Sequence, residues 1–266
     1  MTQYSKKRNS FLTNNDDLYE VVLLGDQDGN IINTHGPSGN IPIADGRVDG
    51  YSVRNIFGTT GATANIVTTE FRTPWERASN YEFPASAAQM SLVSTSTSDT
   101  AVTILILGLD ADYNPISEVQ TLTGTTPITT TNSYLRINDM VCTVGNAVGT
   151  ITLSVGANVY SQIDPGEGKD QKAVYTVPGG YSFFLTRIDA FCTDANGGKA
   201  ARFRNFLQSP NGRQLRVADT TFFNNMSIMR QAPFKYDEKT DILMQLRSLS
   251  GSVFGSVFAE GILVRQ

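Results

Sequence analysis

Charge, histidine and cysteine are scarce in this chain. Of its 266 residues only 17% are Asp, Glu, Lys or Arg, histidine occurs once and cysteine twice. The single histidine, His35, would have to serve any His-dependent triad, and no Gly-x-Ser-x-Gly nucleophile elbow accompanies it. Two isolated cysteines, Cys142 and Cys192, with one histidine cannot supply a zinc spacing. Both sit in apolar, strand-like surroundings and read as small buried hydrophobes, with one disulfide as the alternative. Long apolar runs are missing as well, so no segment reaches the length that crosses a bilayer. The opening Met1 to Arg8 has no apolar core after its charges and is not a secretory signal. Together these absences point to a soluble protein made in a cytoplasm, with no membrane partner. A net charge of -4 and a pI near 5.1 count against direct nucleic-acid binding, although a local basic patch is compatible with an acidic total.

What the chain does have is period-2 patterning. Ser91 to Thr100 is a polar ladder, Val102 to Asp110 is rich in β-branched residues, and Ile116 to Gly124 alternates apolar with polar. Such side chains suit a pleated, half-buried surface. Asp110-Ala111-Asp112-Tyr113-Asn114-Pro115 between two of these runs reads as a hairpin turn. Further strands are expected at Tyr134–Asn138, Gly149–Val155, Ala173–Val177, Tyr181–Phe191, Ala200–Leu207 and Ile242–Leu249. Leu18–Leu24 with Ile31-Ile32 reads as a hairpin. The polar residues 1–17 read as a flexible arm, and the glycine-rich stretch from Gly36 to Ala64 as a cover lying over other surfaces.

The expected architecture is therefore all-β: antiparallel β-sandwich or jelly-roll, as two sandwich domains with an extended N-terminal arm. Residues 1–73 form the arm and turn-rich segment and 74–164 the first sandwich. The turn-forming Asp164-Pro165-Gly166-Glu167-Gly168 marks the change to the second, 165–266.

Candidate chemistry is sparse. Asp110-Ala111-Asp112-Tyr113-Asn114 resembles the start of a calcium loop, but Pro115 and Thr121 stand where the loop needs glycine and a bidentate glutamate. Asp26, Asp28 and Asn30 carry the same reading, a turn. Gly58-Thr59-Thr60-Gly61 lacks the lysine of a phosphate loop. Trp75, Tyr81 and Tyr113 are aromatics of the kind that stack on sugars or anchor a core, and the core role is the expectation. No catalytic, cofactor or metal residue is expected, and hence no enzyme. The residues Ser252 to Ala259 place Phe254 and Phe258 on one strand face and Val253 and Val257 on the other. A strand apolar on both faces belongs in the middle of a sheet stack or at an interface, so these four are the candidate interface residues.

A run of short motifs completes the reading. Ala87-Ala88-Gln89-Met90-Ser91-Leu92-Val93-Ser94-Thr95-Ser96-Thr97-Ser98-Asp99-Thr100 is followed by Gly108 to Asn114 and by Glu118 to Thr126. Tyr134 to Ile137, Gly149 to Ile151, Tyr175 to Gly180, Lys239 to Ile242 and Glu260 to Leu263 continue in order. This order, over the chain from Trp75 on, resembles a module of virion structural proteins of marine tailed phages, especially short-tailed cyanophages. One departure is that Thr100-Ala101-Val102 runs straight on where the module usually carries a glycine-rich insertion. The resemblance implies β-sandwich subunits that build or decorate the particle and brings no catalytic residues. It leads to the expectation of a virion protein assembled in an infected bacterial host, forming a ring or appendage at the tail or neck with copies of itself and other virion proteins. A capsid decoration protein and a glycan-binding attachment appendage are the alternatives.

Overall fold

The computed structural model describes residues 7–12, 18–25, 31–32, 41–61, 66–194 and 197–266, with side chains from residue 41 onward. Among the described residues strand accounts for 58% and helix for 2%, the helix being one turn, α1 (Ile41–Ala44). The all-β expectation is met. Among the described residues every strand pairing is antiparallel, as closely spaced turns require.

At the N-terminal side, β1 (Lys7–Leu12), β2 (Leu18–Gly25) and β3 (Ile31–Ile32) form a small sheet. The β2–β3 hairpin matches its expectation, but Lys7–Leu12 is a paired strand rather than part of a bare arm. A ladder is made by backbone groups, so a polar stretch can pair wherever an apolar neighbour such as Leu18–Leu24 offers an edge.

The first sandwich is built from a contiguous stretch. Its strands are β5 (Ser91–Ser94), β6 (Thr103–Leu109), β7 (Pro115–Thr121), β8 (Ile128–Thr129), β9 (Arg136–Val144), β10 (Ile151–Val155) and β11 (Asn158–Ile163). One sheet runs β11-β10-β5-β8 and the other β7-β6-β9. Alternate residues point inward, and Leu92, Ile104, Ile106, Ile151, Leu153 and Ile163 are fully buried in one cluster with Met140 and Tyr134. Each such aliphatic side chain contributes about 1.5–3 kcal/mol on leaving water. Of the polar ladder only Ser91–Ser94 is strand, and the rest turns back. The buried Asp99 carboxylate accepts bonds there from the Ser94 hydroxyl (2.5 Å) and the Val148 and Gly149 amides (both 3.0 Å).

The second sandwich comprises β12 (Val174–Thr176), β13 (Tyr181–Asp194), β14 (Gly197–Gly198), β15 (Ala200–Gln208), β16 (Gln214–Phe223), β17 (Asn225–Tyr236), β18 (Asp241–Ser248) and β19 (Phe254–Arg265). An eighth strand on its main path comes from before the first sandwich: β4 (Tyr51–Thr59) pairs along its whole length with β19. The path runs β12-β18-β15-β16-β17-β13-β19-β4. β16 and β17 meet only at Phe223 and Asn225, either side of Asn224 at φ 65°, so the path turns a corner there and divides into two layers. Between the layers lie Phe203, Ile242, Met244 and Leu246 from one side and Ile56, Phe183, Leu185, Ile188, Val257 and Ala259 from the other. Ile242–Leu249, whose apolar run also fits a helix, is strand, as expected.

The glycine-rich segment before Ala64 is thus more than a cover, because part of it is a sheet edge. Gly58 is required there, since a Cβ would collide with the Pro74 carbonyl and the Ala173 backbone where the segment before β12 crosses.

Candidate interaction surfaces

The Asp110 turn shows why the first sandwich offers no cation site at this place. The Asp110 carboxylate accepts bonds from the Asp112 and Asn114 amides (both 2.9 Å) and from Asn114 Nδ2 (3.0 Å), which closes the hairpin with Tyr113 at φ 69°. Burial raises the carboxyl's pKa, but these donors outweigh it and hold the pKa below the usual range. A carboxylate so served is a turn fastener. Among the described residues no three His, Cys, Asp or Glu side chains gather as metal ligands. His35, Asp26, Asp28 and Asn30 lie outside the described residues.

The aromatics sort the same way. Trp75 and Tyr81 are buried, ring centroids 5.2 Å apart edge to face, and the Trp75 indole donates to the Ser79 carbonyl at 2.7 Å. Neither offers a face to a sugar. Tyr113 is half-buried beneath the Arg136 guanidinium, 5.6 Å from ring centroid to carbon. Both cysteines are free thiols, Cys192 buried and Cys142 half-buried.

The two sandwiches are tied together by buried ion pairs. Arg136 of β9 donates from Nε and Nη2 to the two oxygens of Asp241 at the start of β18 (2.8 and 2.9 Å). Thr176 Oγ1 donates to the same carboxylate at 2.6 Å. Burial works against the Arg136 charge, but Asp241 more than offsets it. The stretch between β11 and β12 adds a second knot: Asp170 accepts from the Met140 amide (3.0 Å), the Ser161 hydroxyl and Lys172. Beside it, Glu76 accepts from the Gln171 amide. Burial, and then the Asp170 charge, push the Glu76 carboxyl up to about 8. A raised carboxyl beside a buried lysine is a pattern that active sites use. Here the free space by Asp170 and Lys172 is about 10 Å³, room for about one water molecule. The knot holds the stretch before β12 against β9 and β11.

The open surface lies on the outer side of the layer β17-β13-β19-β4. Phe57, Phe191 and Phe254 stand there 42%, 42% and 41% exposed, with Phe258 half-buried among them. Register explains the grouping: Phe258 lies opposite Phe57 on one side and Asp189 on the other, and Phe191 lies opposite Ser256. Phe57, Phe191 and Phe258 line a shallow depression of about 290 Å³ with Met226 and Asn225, and Phe254 lies outside it. Phe223 and Met229, 70% and 79% exposed, lie on neighbouring strands. Val253 and Val257, by contrast, are 1% exposed and belong to the core. Of the four sequence candidates, Phe254 and Phe258 therefore face outward and the two valines face inward. Phe57 and Phe191 were not visible as partners, because only the strand register brings them beside Phe258.

No family model matches the sequence and no curated protein matches it. Among solved structures, a chain in a structure of infectious bursal disease virus, Gt strain, is 14% identical over 82% of this chain and 73% of that one, with a TM-score of 0.20. The PBSX exported protein XepA is 13% identical over 92% of this chain and 99% of its own, with a TM-score of 0.17. Neither superposes closely enough to assign a fold or a role.

Proposed function

We propose that this chain is a non-enzymatic structural protein of a tailed-phage virion, a ring or appendage subunit at the tail or neck that associates with copies of itself. The observation that carries this reading is the outer aromatic face of the second sandwich. Four phenylalanines from three adjacent strands, Phe57, Phe191, Phe254 and Phe258, stand on one outer sheet face, and among the described residues the first three are exposed. Aromatic anchors in an apolar patch are what a stable protein contact uses. The ordered motifs from Ala87 to Leu263 that resemble phage virion modules support the setting. A glycan-binding role would need exposed Trp or Tyr on a concave face, and Trp75 and Tyr81 are buried.

Phe254→Asp tests the reading. An unpaired charge on a surface that excludes water in the assembly is heavily penalised, whereas in the free subunit Phe254 is already exposed. The expected result is a variant with unchanged thermal unfolding and the light-scattering mass of a monomer, where the parent is oligomeric. A variant with the parent's mass would remove this face from the contact. A parent that stays monomeric at millimolar concentration would refute the ring itself.

A further inference from the structure

The charge of this molecule is divided by region. Residues 74–164 hold eight acidic side chains and two basic ones, while residues 165–266 hold thirteen basic and nine acidic. The basic excess gathers on the outer face of the layer β12-β18-β15-β16, away from the phenylalanine face. Arg202 and Arg204 of β15 and Arg247 of β18 converge there on Phe71, and Arg216 of β16 joins them through Asp219. The Arg204 guanidinium lies 4.1 Å from the ring centroid, Arg247 5.1 Å and Arg202 5.9 Å.

One carboxylate serves the group. Asp219 accepts from Arg202 Nε and Nη2 (2.6 and 2.8 Å) and from Arg216 (2.8 Å). Arg204 Nε donates to Gln245 (2.7 Å), and Arg247 Nε is buried with no acceptor. Burial, and then crowding by Arg216, Arg202 and Arg247 against the relief from Asp219, lower the Arg204 pKa. Three guanidiniums held by an aromatic ring, with a fourth beside them on the single carboxylate Asp219, form a preorganised site for carboxylates.

The complementary charge is on the first sandwich. The β6–β7 hairpin carries Asp110, Asp112 and Glu118, and among the described residues no Lys or Arg pairs with any of them. Arg136, the nearby cation, is spent on Asp241. β7 is also a sheet edge, with Val119 59% exposed. The hairpin cannot reach the arginines of its own chain along the sheet: Arg247 lies six residues along β18 from Asp241, where the sandwiches join, or about 20 Å at strand rise.

We propose that the arginine face of one copy receives the acidic β6–β7 hairpin of the next, head to tail. This rests on the self-association reading above but uses different surfaces. A contact between unlike surfaces closes into a ring or propagates as a filament, which a ring subunit requires. A nucleic acid is the poorer occupant, because the chain is acidic overall and Asp219 stands in the middle of the arginines.

Light-scattering mass of the full chain at about 0.05 and 0.5 M NaCl, with two charge reversals, is the test. Salt at the upper concentration should weaken association on the order of tenfold, because the contact is electrostatic. Arg204→Glu with Arg216→Glu, and separately Asp112→Lys with Glu118→Lys, should each give monomers, and their equimolar mixture should associate again. If the arginine variant fails to fold, Asp112→Lys alone, at an exposed position of the hairpin, decides. Unchanged mass in that variant, or association indifferent to salt, would overturn the proposal. Loss of association in Phe254→Asp but in neither charge variant would overturn it while leaving the phenylalanine contact standing. Retention of a duplex oligonucleotide that the arginine reversal abolishes, with no change in mass, would give the face to nucleic acid and overturn it too.

Discussion

In the first sandwich the carboxylates fasten turns, while in the second the guanidiniums stand on an outer sheet face. Asp99 and Asp110 each take three donors, most of them backbone amides, and the chain reverses around them. Arg202, Arg204 and Arg247 lean on Phe71 and shape no turn. A charged residue buried against the backbone is part of the architecture, and one stacked on a ring at the surface is available to a partner. A substitution of the same size should therefore act on stability in one region and on association in the other.

The joint between the regions gives the largest expected effect. Arg136→Ala leaves Asp241 buried with only Thr176 as a side-chain partner and removes the cation from between Phe83 and Tyr113. Breaking a buried pair on one side costs about 3–5 kcal/mol, to be read from urea unfolding. A loss under about 1 kcal/mol would show that the sandwiches are stable without each other.

Next in size is a pH dependence at the same joint. Glu76 keeps its proton in the folded protein up to about pH 8, whereas the unfolded chain releases it near 4.5. Folding thus takes up a proton between those values, and stability falls as pH rises through that window, by about 1.4 kcal/mol for each unit of pKa difference. Glu76→Gln should flatten the profile between pH 5 and 8, since the amide has nothing to release. An unchanged slope would place the titration elsewhere.

The smallest effect sharpens the contrast directly. Asp99→Ala strands the Val148 and Gly149 amides and should cost about 2–3 kcal/mol. The Asp99 pKa is held low by Ser94 and those amides despite burial. Its contribution is therefore present above the ordinary carboxyl range and lost as acid takes pH below it. Arg202→Ala on the second sandwich should leave thermal unfolding unchanged while weakening association. Equal losses of stability in the two variants would erase the distinction.

The strands were legible where alternation is strong, as in Thr103–Leu109 and Ile116–Thr121, because period 2 is a local property of the backbone. Phe254 and Phe258 could be named for the same reason. β4 was hidden by the glycines around it and identified only by its partner β19, which lies far along the chain. The arginine cluster was hidden more deeply, since Phe71, Arg204, Arg216 and Arg247 share no spacing and meet only through register. The polar ladder misled in the opposite sense: Thr95 to Thr100 alternates in composition, yet Asp99 draws the backbone into a turn.

The pairing of β4 with β19 also bears on how the molecule is made. Residues 51–59 leave the ribosome well before their partner 254–265, and the whole first sandwich is synthesised in between. The first sandwich can close as soon as it emerges, because its strands are contiguous. The second must wait with β4 and β13 unpaired along the edges that β19 will fill. A chain interrupted before β19 would carry two bare edges ready to pair with a stranger. The strand that presents Phe254 and Phe258 is the same one that closes the sheet, so the outward face is created only once β19 is in place.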